Sequence, residues 1–196
     1  MVATHSCMLP LGTPAPAFNL KDVVSGDIVS LQKKDTANGY LVAFICNHCP
    51  FVIHLLEHLP AHFNEIQDEG IEVFAISSND IVNYPQDSPE KMKEFSESHG
   101  FRFPYLYDEK QDVASSYTAA CTPDFFLFDK DLKLFYRGRY DATRPGSEAQ
   151  ITGEDLLGAI DCLLEERVPP KDQFPSIGCN IKWQVGQEPS YFKKKN

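Results

Sequence analysis

Two cysteines three positions apart, Cys46 and Cys49 in the run Phe44-Ile45-Cys46-Asn47-His48-Cys49-Pro50, carry the most legible chemistry in the chain. A thiol pair at this spacing can make and break a disulfide: one thiolate attacks a disulfide sulfur and the partner thiol resolves the mixed intermediate. The flanking residues say which sulfur attacks. Tyr40 to Ile45 is a short apolar run, rich in β-branched and aromatic residues and preceded by Asn38-Gly39, which is the pattern of a buried strand. Pro50 suits the first helical position, where its missing N–H costs nothing and its φ is already set. Val52, Leu55, Leu56, Leu59, Phe63 and Ile66 then recur at helical spacing as far as Gly70. Cys49 therefore falls at the N-cap, where unpaired N–H groups and the positive end of the helix dipole favour a thiolate. Cys49 is expected to attack and Cys46 to be its partner, with His48 and Pro50 as accessory residues of the same loop.

Three other readings compete. The pair could be buried and inert. It could bind metal, since His48, His54, His58 and His62 lie close by. The last three step by four along one helix face beside Glu57 and Glu65, but no second CxxC supplies the further ligand pair of a structural zinc site. A solvated His/Glu flank accounts for the stripe, and no metal is assigned. Haem attachment requires His after the second cysteine; Pro50 stands there, which excludes it.

The elements that must position the pair can be taken in chain order. Residues 1–38 read as an irregular lead-in ending in a hairpin, with Phe18-Asn19-Leu20 and Ile28-Val29-Ser30-Leu31 flanking a turn at Ser25-Gly26-Asp27. After the first helix, Ile71 to Ile76 is a second buried strand and Tyr84 to Asp87 a loop. Ser88 caps a helix with Pro89 behind it and Gly100 at its end. Phe103 to Tyr107 is a short strand, and Asp108 with Gln111 resembles a capping box opening a helix through Tyr117. Cys121-Thr122-Pro123 leads into an antiparallel hairpin, Asp124 to Phe128 and Leu132 to Tyr136, joined at Asp129-Lys130-Asp131. Thr152 with Asp155 forms another capping box, opening a last helix that ends before Pro169-Pro170. The tail, 169–196, holds Gly178-Cys179-Asn180-Ile181-Lys182-Trp183 and is expected to pack on the body or on a neighbouring subunit.

With 196 residues, 42% of them hydrophobic, the chain can bury one good core. Its formal charge is −10 and its cations are scattered apart from Lys193-Lys194-Lys195, so nucleic acid and anionic membrane surfaces are unfavoured partners. No export signal and no membrane span is visible, and six cysteines at irregular spacing point to a reducing, cytoplasmic setting.

Strand–helix–strand–helix, then a helix, a hairpin and a last helix, describes a mixed α/β sheet with helices on both faces. With CxxC at the first helix start and Thr122-Pro123 before the hairpin, residues 39–168 resemble the thioredoxin fold. The Gly12 to Leu31 lead-in resembles the N-terminal hairpin of the peroxiredoxin-like branch, AhpC/TSA or redoxin, and extends the thioredoxin-like unit to 1–168. The resemblance implies that Pro123 is a cis-proline facing the pair and that the backbone of Thr122 pairs with a substrate segment. Thioredoxins attack with the first cysteine of the pair, but counting from Phe44 places Cys49 in the attacking position, which is also that of the peroxidatic cysteine in peroxiredoxins. The peroxiredoxin pattern Pro-x-x-x-Thr-x-x-Cys is kept only in part: Val42 and Cys46 occupy the Pro and Thr places. Arg137, Arg139 or Arg144 is left to supply a guanidinium.

Three functions follow as expectations. The first is a thiol–disulfide oxidoreductase working through Cys49 and Cys46, whose cofactor is the redox-active disulfide itself. Its partners would be a disulfide-bearing protein or small thiol substrate and a cytosolic thiol reductant, and a homo-oligomer stays open. The second is a peroxidase-like antioxidant in which Cys46 condenses with Cys49 sulfenic acid. The third is a non-enzymatic metal-binding module. Cys121 and Cys179 are expected to be accessory thiols at most, with Cys121 a small buried apolar residue.

Overall fold

The computed structural model describes residues 3–192, so the terminal lysine run lies outside the described residues. The strands are β1 (Ala3–His5), β2 (Asn19–Asp22), β3 (Ile28–Ser30), β4 (Gly39–Phe44), β5 (Ile71–Ser77), β6 (Tyr105–Tyr107), β7 (Cys121–Thr122), β8 (Asp124–Asp129), β9 (Leu134–Gly138) and β10 (Ile177–Asn180). The helices are α1 (Pro50–Leu55), α2 (Leu59–Asp68), α3 (Pro89–Ser98), α4 (Asp112–Ser116) and α5 (Glu154–Leu164).

Seven strands form one mixed sheet in the order β3-β2-β6-β5-β4-β8-β9. β4 lies near its middle, parallel to β5 and antiparallel to β8. All six β4 residues are buried, as a strand covered on both faces requires. Side-chain alternation divides them between two cores. Leu41 and Ala43 face a cluster with Val52, Leu59, Phe63, Met92, Leu156 and Ile160, which come from α1, α2, α3 and α5. Tyr40, Val42 and Phe44 face a second cluster with Phe18, Leu31, Val113, Tyr117, Ile181 and Trp183. The second face is thus closed by α4, the lead-in and the tail, and the sheet is sandwiched as the element order predicts.

The lead-in hairpin forms where expected. Asp22 closes its turn by accepting from the N–H groups of Val24 and Ser25, and it accepts from Tyr105 N at 3.1 Å to dock the hairpin on β6. Ser88 caps α3 through Lys91 N. Five local expectations are corrected. The first helix does not run unbroken to Gly70; it stops at Leu55 and α2 begins at Leu59. Pro60 has no N–H for the Leu56 carbonyl, and its ring would crowd that group. Tyr84 to Asp87 is not plain loop, because Pro85–Asp87 is a 3-10 turn.

Neither capping box closes as expected. Asp108 does cap α4, accepting from Ala114 N at 2.9 Å, but the Gln111 side chain turns away to donate to Ser78 O and Lys182 O. Thr152 accepts from Glu154 N, while Asp155 is held by Arg139 Nε at 2.7 Å and leaves Gly153 as the N-cap of α5. The histidine stripe, finally, is no solvated flank: His54 meets the Thr143 hydroxyl at 3.0 Å, and His62 is hydrogen-bonded to and stacked on Tyr140.

The tail packs on its own chain. β10 lies between β1 and β7 in a three-stranded antiparallel sheet. Ser176 N donates to Ser6 Oγ before the strand, and Lys182 N donates to Asn79 Oδ1 at 2.9 Å after it. Among the described residues no helix is long and apolar enough to cross a membrane.

Candidate active site

β4 delivers Cys46 just past its end, and a two-residue loop returns Cys49 to the N-cap of α1 with Pro50 at the first helical position. Both sulfurs are buried, Cys46 at 1% and Cys49 at 0% exposure. Thr122 meets both. Its hydroxyl is 3.4 Å from Cys46 Sγ, and Cys49 Sγ donates to its carbonyl at 3.1 Å. The Thr122–Pro123 peptide bond is cis.

The two thiols are pushed in opposite directions. Cys49 lies well below the ordinary thiol range, first because Cys179 hydrogen-bonds to its sulfur and next because Cys46 does. Burial opposes the charge; the two thiol donors outweigh it, helped by the Thr122 side chain and the Cys179 backbone. Cys46 is raised well above its ordinary value by donating to Cys49, then by burial and the nearby Asp87 charge. The helix terminus adds less than its position suggests. Cys49 makes no side-chain cap bond, Pro50 has no N–H, and Val52 N and Ile53 N both donate to the Cys49 carbonyl.

Cys179 is the residue that sequence reasoning underrated. The register of β10 sets it opposite Thr122, and its side chain and backbone both hydrogen-bond Cys49. The bond it gives to Cys49, and then burial, hold its thiol well above the usual range. The same register corrects the expectation of an open edge at Thr122, because β10 of the chain itself is paired there. Cys121 fits the small buried residue expected: it is fully buried, and burial pushes its thiol up.

Asp87 was missed altogether, since a loop acid in sequence carries no sign of its surroundings. It is fully buried and accepts from Asn47 N at 2.9 Å and Asn79 Nδ2 at 2.8 Å, with His48 Nδ1 2.7 Å away. Tyr84 stacks on the His48 ring at 5.7 Å, and Tyr105 donates to Asn47 Oδ1. Cys46, His48 and Asp87 place ligand atoms within 4.8 Å of one another, the donor set in this site that could hold a metal. Asp87 has donors on both oxygens, and its contacts with Asn47, Asn79 and His48 anchor the Cys46–Cys49 loop.

The three arginines part company. Arg137 is buried beside Asp124. Arg139 is paired with Asp155 and lies over the Phe174 ring. Arg144, with Arg139, lines a cleft bounded by Phe51, His54, Pro123 and Ile177.

A family model described as the AhpC/TSA family matches residues 11–137. A conserved protein of Geobacillus kaustophilus, solved by crystallography, is 49% identical with a TM-score of 0.92, over 95% of this chain and 98% of that one. The thioredoxin domain of a thiol-disulfide oxidoreductase from Bacteroides vulgatus is 23% identical with a TM-score of 0.55, over 70% of this chain and 91% of that one, and shares the fold. The thiol-disulfide oxidoreductase ResA of Halalkalibacterium halodurans is 23% identical over 120 residues, 61% of this chain, and the chain spans 62% of that relative's length. The lead-in hairpin, the strand–CxxC–helix turn and the Thr122-Pro123 edge all lie inside the span the family model matches. The fold is thioredoxin-like, and the chain belongs to the AhpC/TSA family.

Proposed function

We propose that the protein is a thiol–disulfide oxidoreductase in which Cys49 is the attacking thiolate and Cys46 the resolving thiol. The observation that carries this reading is the seating of both sulfurs on Thr122, Cys46 Sγ 3.4 Å from its hydroxyl and Cys49 Sγ 3.1 Å from its carbonyl, with the Cys49 thiol lowered and the Cys46 thiol raised. A nucleophile must be charged at neutral pH, and its partner must keep its proton until the mixed disulfide forms. Environments that push two titratable groups apart mark such a division of roles. Cys49 attacks one sulfur of a substrate disulfide, and the other sulfur leaves as a thiolate. Cys46 then gives up its proton and attacks Cys49, releasing reduced substrate and leaving a Cys46–Cys49 disulfide. A cytosolic thiol reductant restores the dithiol. A reducing, cytoplasmic setting fits six irregularly spaced cysteines. Asp87 and His48 are positioning residues for the loop.

A second reading, peroxide reduction through a Cys49 sulfenic acid, draws support from the family match and from Arg144 in the cleft beside Pro123. Val42 and Cys46 stand where a peroxiredoxin has Pro and Thr, which removes a hydroxyl donor to the peroxide.

Insulin reduction driven by dithiothreitol tests the first reading. Cys49→Ser should abolish turnover. Cys46→Ser combined with Cys179→Ser, which removes both thiols near Cys49, should trap a mixed disulfide with a substrate thiol instead of releasing product. Full turnover by Cys49→Ser would overturn the assignment.

A further inference from the structure

Cys49 Sγ has a second sulfur neighbour that a CxxC mechanism does not use. Cys179 lies on β10, whose register sets it opposite Thr122, the residue whose carbonyl touches Cys49 Sγ at 3.1 Å. A disulfide substrate docked as an added strand on that edge would present its cysteine at this place. The approach is close by construction. A Cβ on Gly178 would fall 1.9 Å from Thr122 O and 3.3 Å from Pro123 Cδ, so only glycine brings the strand in this near. The strand is also held on both sides, by Ser6 at Ser176, by the Ala120 carbonyl at Ile181 N and by Asn79 at Lys182. A cysteine serving only as a small apolar filler would not need its sulfur and its backbone both turned to Cys49.

We propose that β10 is a tethered substrate strand and that Cys179 exchanges disulfides with Cys49, making Cys46, Cys49 and Cys179 a three-thiol relay. This rests on the thiol–disulfide reading of the Cys46–Cys49 pair. The step begins from the Cys46–Cys49 disulfide. Cys179 gives up its proton and its sulfur attacks Cys49 Sγ. The Cys46–Cys49 bond breaks as the Cys49–Cys179 bond forms, and Cys46 leaves as a thiolate that takes up the proton. One disulfide and one thiol enter and one of each leaves, so no oxidant or reductant is consumed. The exchange moves the disulfide from the loop after β4 onto the tail strand. It also ties β10 covalently over the edge that an external substrate would need.

The test is disulfide mapping by mass spectrometry after oxidation with diamide, acid quenching and alkylation of the remaining thiols. Wild-type protein should yield both Cys46–Cys49 and Cys49–Cys179 linkages. Cys46→Ser should yield the Cys49–Cys179 linkage within one chain, as a monomer. Gly178→Ala, whose added methyl pushes β10 off Thr122, should keep the Cys46–Cys49 linkage and lose at least tenfold in Cys49–Cys179. If Gly178→Ala fails to fold, the Cys46→Ser map decides alone. Cys46→Ser that stays a thiol at Cys49, or forms only chain-to-chain Cys49 disulfides, would overturn the relay. Insulin turnover separates this from the proposed function: turnover without a Cys49–Cys179 linkage sinks the relay only, and the linkage without turnover sinks the oxidoreductase reading only.

Discussion

Cys49 Sγ and the carbonyl oxygen of Thr122 stand 3.1 Å apart, and the residue paired with Thr122 from the other side is Cys179. The attacking sulfur thus sits on the seam between the body and the tail of its own chain. Its charge depends on what the tail donates.

Removing that donation should raise the Cys49 pKa. Cys179 is the largest cause of its lowering, and a hydrogen bond to a charged group contributes about 1.5–3 kcal/mol, with a thiol donor at the weak end. Cys179→Ala should therefore move the Cys49 thiolate transition up by about one pH unit. Cys179→Ser, which keeps a donor, should move it less. Thiolate absorbance against pH measures both, and an unmoved transition in Cys179→Ala would remove the tail from the account.

Asp87 should matter to the resolving step. Its charge contributes to holding Cys46 protonated, and its oxygens anchor Asn47 and His48. Asp87→Asn removes the charge, so the Cys46 pKa should fall and resolution of a mixed disulfide at neutral pH should quicken. Asn keeps one acceptor oxygen, so one buried donor loses its partner, which should also cost about 1–3 kcal/mol of stability. Single-turnover resolution rates and urea unfolding read the two effects separately.

Asp124, fully buried next to Pro123, should give stability a distinctive pH slope. Burial raises its carboxyl from 3.8 to about 7 despite the nearby Arg137 charge. The folded state then holds this proton more tightly than the unfolded chain does. Its contribution is present in full below 3.8 and is lost as pH rises to about 7. The loss is at most about 1.4 kcal/mol per pH unit across that window. Asp124→Asn should flatten the difference in urea-unfolding free energy between about pH 4 and about pH 7. An equal slope in both proteins would contradict the buried-acid account.

Sequence carried the parts of this site that depend on local spacing. Strand, CxxC and Pro50 could be read from neighbouring residues, as could the hairpin after Pro123 and the Ser88 cap, because each is a local backbone preference. What escaped was decided by partners far along the chain. Asp155 left its capping box because Arg139 is a better partner, and Gln111 left its own to hold the tail through Lys182. The pairing of β10 with β7 has no local signature beyond a glycine beside a cysteine, so neither the closed Thr122 edge nor the reach of Cys179 to Cys49 was visible. The break before α2 is a different case. Pro60 was in plain sight within the helical pattern, and apolar periodicity alone bridged it.

The most direct test of the central claim is the reaction rate of reduced protein with a protein disulfide and, separately, with hydrogen peroxide, followed by stopped flow. Peroxide cleavage needs donors on the developing charge, and losing one such donor typically costs about 3 kcal/mol, a factor of about 10² or more. Val42 and Cys46 replace two residues of the peroxiredoxin pattern, and Arg137 and Arg139 are held beside Asp124 and Asp155. The account predicts turnover of the disulfide through Cys49 and Cys46, with peroxide reacting at a rate close to that of a simple thiolate. A peroxide rate orders of magnitude above that of a simple thiolate, with little reaction at the disulfide, would contradict it and turn attention to Arg144.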